Sequence, residues 1–148
     1  MAAFRILWGV RQNMTHIDIG QAVDFLVNKY CTNDPYELAE ATGLEIDFQP
    51  FSHIKGINIC KHDVRILVIN SSLPYHEKKF IAAHELGHHI LHPQLNYFFI
   101  TENTLFYNGK YEREANLFAF YLITGVRGKI NFAIESRFLQ KATMSMIG

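Results

Sequence analysis

The chain has 148 residues, with fourteen Lys and Arg against fourteen Asp and Glu, and 49% apolar residues that include twelve Phe and seven Tyr. That is the size of one ordinary domain able to bury a core, and the composition excludes a disordered or fibrous chain. A formal net charge of zero leaves no broad basic surface, so neither direct nucleic-acid binding nor membrane association is expected.

Residues 1–13 carry neither periodicity nor a helix cap and are read as a disordered or non-native extension, with Met14 an alternative start. Phe4 to Val10 is too short an apolar run for a secretory segment and lacks a small-residue cleavage site. No run approaches the roughly 20 apolar residues of a membrane span, so a soluble cytoplasmic protein is expected. Thr15 or Asp18 caps a first helix whose apolar stripe is Ile17, Ala22, Phe25, Leu26 and Tyr30. Asp34-Pro35 opens a second helix, Tyr36 to Thr42, which Gly43 can end. The next residues, Glu45-Ile46-Asp47-Phe48, alternate as a strand does, and the absence of a basic recognition helix there removes a helix-turn-helix reading.

Gly56 to Cys60 and Val64 to Ile69 flank the polar turn Lys61-His62-Asp63, which predicts an antiparallel hairpin. His76 to His92 contains no proline and one glycine, Gly87, and its apolar positions predict a largely buried helix that Pro93 stops. Residues 93–109 read as a loop or irregular hairpin, and Lys110 to about Ile123 as a last apolar helix ending near Gly125. Cys31 and Cys60 are far apart and lack CxxC spacing, so they offer no disulfide framework and are read as two buried thiols. The sum is an α+β domain over residues 14–124, with two N-terminal helices, a small antiparallel sheet and a two-helix core, followed by a tail over residues 125–148.

The chemistry is concentrated in His84-Glu85-Leu86-Gly87-His88, an H-E-x-x-H sequence inside the strongest predicted helix. Residues four apart lie about 6 Å along a helix axis and nearly in line around it, so His84 and His88 can lean toward one ion while Glu85 stands beside them as base. A catalytic zinc site needs a third protein ligand and a position for water. A third histidine of the metzincin kind would need Gly at position 91 and His at position 94, which hold Leu91 and Gln94. A glutamate on a following helix is the other solution, and Glu112 fits it, with Asn116 one turn on to hydrogen-bond a ligand histidine. Glu114 is the second choice. Zinc is the expected ion, although two imidazoles and a carboxylate also accept manganese, iron or cobalt.

The segments His84 to His92 and Glu112-Arg113-Glu114-Ala115-Asn116-Leu117-Phe118-Ala119 together resemble the ImmA/IrrE family of metallopeptidases, and the resemblance extends over roughly Met14 to Leu122. It implies a zincin-like cytoplasmic peptidase of the kind phages and mobile elements often encode. Such an enzyme relieves repression by cleaving a helix-turn-helix repressor, so the implied partner is a protein substrate. Residue by residue it implies His84, His88 and Glu112 for the metal and Glu85 for catalysis. The stretch Ile123-Thr124-Gly125-Val126 departs from the family's proline-containing stop, so residues 125–148 are read as a truncated or replaced tail.

Tyr107, Tyr111 and His89, near in sequence, are the candidate hydrogen-bond donors to a reacting carbonyl. His92, one turn beyond His88 and before Pro93, is a further ligand candidate but reads first as a helix-end residue facing the last carbonyls, while His16, His53, His62 and His76 lack partners at ligand spacing and read as surface or hydrogen-bonded residues. The aromatic stripe from Tyr111 to Tyr121 reads as core. The competing functional class is a catalytically silent metal-binding module that regulates a repressor or other partner by gripping it, with a metal-free toxin or antitoxin ranked last. Glu85 separates the first two, because it adds little to metal affinity yet is needed for hydrolysis.

Overall fold

A computed structural model of the protein describes residues 15–93, 99–101 and 109–125. The extension over 1–13, Tyr107 and the tail beyond Gly125 lie outside the described residues, as do the side chains of His16 and Ile17. Helix α1 (His16–Tyr30) starts on a capping box: the Thr15 hydroxyl accepts from the Asp18 amide at 3.2 Å, and the Asp18 carboxylate accepts from the Thr15 amide at 2.9 Å. Thr15, of the two residues weighed, is therefore the cap. Helix α2 (Pro35–Thr42) has Asp34 as N-cap and Pro35 in its first turn, and ends at Gly43, whose φ of 85° is the left-handed conformation that only glycine adopts without strain.

Strand β1 (Leu44–Gln49) is followed by β2 (Gly56–Lys61) and β3 (Val64–Asn70), and a short β4 (Phe99–Thr101) lies within the stretch read as a loop or irregular hairpin. The β2–β3 hairpin forms as predicted, with Lys61 paired to Val64 and both intervening residues at positive φ, 50° at His62 and 63° at Asp63. That is the pattern of a two-residue turn matched to strand twist. The sheet as a whole is mixed and not the purely antiparallel one expected: its order is β1-β3-β2-β4, and β1 runs parallel to β3.

Asn70 accounts for that difference. Its side-chain amide donates to the carbonyls of Phe51 and Ile54 at 3.0 and 2.9 Å, and its Oδ1 accepts from the amides of Phe51 and Ser72 at 3.2 and 3.0 Å. The connection after β1 is thereby carried across the end of β3, so β1 pairs with β3, its second neighbour in sequence. Period-two alternation says which residues share a face but carries no information on which strand lies next to which.

Helices α3 (Tyr75–Leu91) and α4 (Gly109–Thr124) form the core against α1, α2 and β3. On α3, Phe80 to His88 are all buried, and on α4 Ala115 and Leu117 to Leu122 are buried, which places Phe118, Phe120 and Tyr121 in the core as the sequence predicts. Each such large side chain contributes roughly 1.5–3 kcal/mol. The axes approach closely at Gly87, where a Cβ would lie 3.1 Å from the Phe118 Cβ and 3.2 Å from the Ala115 backbone. The α+β architecture with two N-terminal helices and a two-helix core is as expected. The two cysteines differ from expectation: Cys31 is exposed because it occupies the left-handed C-cap of α1, and Cys60 is only half-buried near the end of β2.

Candidate metal centre

The helix period puts His84 and His88 on one face of α3, and the close contact at Gly87 lets the first turn of α4 come opposite them. Glu112 sits in that turn, where a carboxylate is favoured by the helix dipole. Its two oxygens divide between the imidazoles, Oε2 lying 3.1 Å from His84 Nε2 and Oε1 2.9 Å from His88 Nε2, and the two Nε2 atoms are 3.2 Å apart. All three residues are buried. Glu114 is directed away from this cluster and meets His92.

Each imidazole is held from behind. His84 Nδ1 lies 2.8 Å from Asn116 Oδ1, one turn of α4 beyond Glu112. Because that oxygen only accepts, Nδ1 carries a proton, and the neutral ring would present its Nε2 lone pair to an ion. His88 Nδ1 lies 3.0 Å from His92 Nδ1, and His92 Nε2 lies 2.7 Å from Glu114 Oε2. The main chain of His92 does cap α3, donating to the His88 carbonyl at 2.9 Å, but its side chain is 1% exposed and turned inward, which corrects the helix-end reading.

The electrostatics follow from burial and pairing. Burial by itself raises the Glu112 carboxyl, but hydrogen bonds from His84 and His88 and their charges overcome it and bring the pKa down from 4.5 to about 2. Burial pushes His84 downward, but the hydrogen bond and charge of Glu112, the charge of Glu85 and the contact with Asn116 carry it above its ordinary value. His92 goes the other way, pushed down to about 3 by burial and then by the charge of His88, so its ring is neutral.

This donor set fits a divalent ion. A tetrahedral ion with bonds of about 2.0–2.1 Å sets its ligand atoms roughly 3.3 Å apart. The two Nε2 atoms are 3.2 Å apart, Glu112 brings one oxygen to 3.1 Å from His84 and the other to 2.9 Å from His88, and ligand atoms taken one per residue lie within 4.8 Å of one another. With the His84 proton placed on Nδ1, two nitrogens 3.2 Å apart and a carboxylate converge on one point in a buried setting, an arrangement that a cation relieves. Among the described residues these three are the group whose ligand atoms converge in this way.

Glu85, the adjacent helix residue, is 5% exposed, and its Oε2 accepts a hydrogen bond of 2.7 Å from the Asn58 side chain on β2. The sequence reading missed Asn58. In Ile57-Asn58-Ile59 the alternation suggests the isoleucines inward and the amide outward, whereas Asn58 is the buried residue and the two isoleucines are half-buried. A polar residue between two β-branched ones in a strand facing the H-E-x-x-H helix was the available signal.

The other candidates separate. His89 Nε2 meets the Thr42 carbonyl at 2.8 Å, so it faces the end of α2 and not the cluster. Tyr111 packs edge-on against His92, with ring centroids 4.7 Å apart. His53, His62 and His76 are exposed, as expected. A groove of about 1020 Å³ between α2, β1 and the start of α3 contains none of the cluster residues, so its size does not make it the reaction site. No helix among the described residues is long and apolar enough to cross a membrane.

Comparison with known proteins agrees with this geometry. Residues 39–124, more than half of the chain, match the peptidase family described as the IrrE N-terminal-like domain. The chain is 44% identical over 108 residues to "Uncharacterized immunity region protein 2" of Bacillus phage phi105, covering 71% of this chain and 67% of that protein. It is 30% identical over 109 residues to "Metallopeptidase ImmA" of Bacillus subtilis (strain 168), covering 71% of this chain and 62% of that protein. The chain thus spans about two thirds of the length of these relatives. With the match running from α2 through α4 and enclosing every residue of the cluster, the chain belongs to the IrrE N-terminal-like family of metallopeptidases.

Proposed function

We propose that the chain is a zinc-dependent endopeptidase that cleaves one specific protein in the cytoplasm, a helix-turn-helix transcriptional repressor, and so acts as an anti-repressor. The observation that carries the reading is the buried convergence of His84, His88 and Glu112 beside a carboxylate, Glu85, that is held by its own partner. Kinship with a phage immunity-region protein and with a metallopeptidase supports a substrate of the repressor kind.

In this reading His84, His88 and Glu112 hold the ion, which when bound supplies Lewis acidity toward a peptide carbonyl and an attacking water. Glu85 takes the water's proton as the new C–O bond forms, and delivers it to the amide nitrogen as the C–N bond breaks. Asn58 occupies Oε2 of Glu85, so the proton is handled at Oε1 and the carboxylate keeps one orientation through both transfers. Asn116 holds the His84 ring so that Nε2 faces the ion.

The test is co-production of the chain in bacterial cells with the helix-turn-helix repressor encoded nearest its own gene, followed by immunoblot for intact repressor and fragments. Wild type yields a discrete fragment, and Glu85→Gln leaves the repressor intact while still binding one zinc per chain. Relief of repression by Glu85→Gln equal to wild type would sink the peptidase reading and leave the catalytically silent binding module in its place.

A further inference from the structure

His84 and His88 are one helical turn apart on the same ion-facing stripe, yet what stands behind them differs. Behind His84 is one neutral amide. Behind His88 is a second imidazole and then a carboxylate, all buried: His88 Nδ1 to His92 Nδ1 at 3.0 Å, and His92 Nε2 to Glu114 Oε2 at 2.7 Å. A carboxylate only accepts, so His92 donates to Glu114 from Nε2–H. The proton of a neutral His92 is thereby spent, leaving its Nδ1 bare, and the contact with His88 then requires His88 Nδ1–H to donate. One proton order satisfies the His88–His92–Glu114 contacts, and with an ion between His88 and Glu112 it would turn the His88 Nε2 lone pair toward that ion.

Resting on the metallopeptidase reading above, we propose that His92 and Glu114 are positioning residues that set the tautomer of His88 and raise its donor strength toward the ion. The negative charge of Glu114 acts through two imidazoles, so the relay does more than orient a ring. It also explains why a carboxylate two residues from Glu112 is 8% exposed on a helix whose dipole already has one acid at its start. Buried charge is costly without compensation, and part of the compensation here is a hydrogen-bonded path that ends at a candidate cation site. Loss of an outer partner of this kind typically weakens metal binding 10–100-fold. Tyr111, edge-on to the His92 ring at 4.7 Å, keeps that ring in the plane the two bonds need.

The proposal is tested on the full-length, zinc-loaded chain in two ways. Long-range ¹H–¹⁵N spectra of the imidazoles read the tautomers directly: His92 is expected as Nε2–H with a bare Nδ1, and His88 as Nδ1–H. Zinc affinity, measured by chelator competition on variants whose circular dichroism matches wild type, is expected to fall about 10–100-fold in His92→Phe and about tenfold in Glu114→Gln. His92→Gln offers an amide oxygen to His88 Nδ1–H and is expected to recover most of the loss, which a merely space-filling role for His92 would not produce. A His92 ring protonated on Nδ1, or zinc affinities of His92→Phe and Glu114→Gln both within about twofold of wild type, overturns the relay. A wild-type chain that takes up no zinc overturns the peptidase reading and the relay together, whereas a zinc-binding wild type with unaffected variants overturns the relay alone.

Discussion

The two halves of the candidate metal centre are supported from different places. His84 is backed by Asn116, which shares its helix with Glu112, so ligand and support arrive together whenever α4 docks. His88 is backed by His92, the residue that closes α3, and through it by Glu114. The first arrangement makes orientation depend on helix packing alone, while the second adds a buried charge. Two candidate ligands that are equivalent by helical spacing are therefore unequal in chemistry, and the helix that carries both acids decides the difference.

The comparison breaks most completely when a ligand is lost. Glu112→Ala removes the only carboxylate that touches both imidazoles among the described residues, and bound metal is expected to fall from one ion per chain to none in plasma mass spectrometry after dialysis. Retention of one ion would move the third ligand elsewhere.

Separating the helices comes next. Gly87→Ala places a methyl 3.1–3.2 Å from Phe118 and Ala115, where backbone has no room to give. Overpacking of this kind costs about 1–3 kcal/mol, read as a lower urea midpoint. Because His88 and Glu112 flank that contact, zinc affinity is expected to fall as well, and an unchanged affinity would mean the cluster tolerates wider spacing than the geometry implies.

A smaller effect sharpens the contrast between the two supports. Asn116→Leu is expected to weaken zinc about tenfold, and combined with Glu114→Gln the losses are expected to multiply, since the two act on different imidazoles. A double variant no worse than either single one would show a shared network.

The smallest effect is the pH profile of the metal-stripped chain. Glu112, lowered from 4.5 to about 2 when folded, contributes stability that is present above about pH 4.5 and is lost as pH falls toward 2. His84, raised above its ordinary 6.5, contributes stability that is full below about pH 6.5 and is lost as pH rises through its folded value. Urea melts should therefore find the stripped chain most stable between about pH 4.5 and 6.5. Zinc should remove the alkaline loss, because the ion replaces the His84 proton as the partner of Glu112. A stripped chain equally stable at pH 6 and pH 9 would contradict the His84–Glu112 pairing.

Much of the site was legible because its parts are local. H-E-x-x-H inside a helix places two imidazoles and a carboxylate by the 3.6-residue period alone, and Glu112 with Asn116 follows from the same period on a second helix. Helix limits were legible for a similar reason: Thr15, Asp34-Pro35, Gly43 and Pro93 act on the backbone within a turn of themselves. The parallel pairing of β1 with β3 was hidden because Asn70 organises it through contacts 16 and 19 residues away in sequence.

The sequence by itself therefore determined the helices and the hairpin turn and named the candidate ligands of an ion, since each depends on neighbours within about one helical turn. Only the tertiary structure decided which partner each of those residues meets: Asn58 reaching Glu85 from β2, and His92 turned from a helix end into the link between His88 and Glu114. Those choices depend on how closely two helices and a sheet approach, and between the two helices the approach is tight at Gly87, where a Cβ would lie 3.1–3.2 Å from Phe118 and Ala115 of α4.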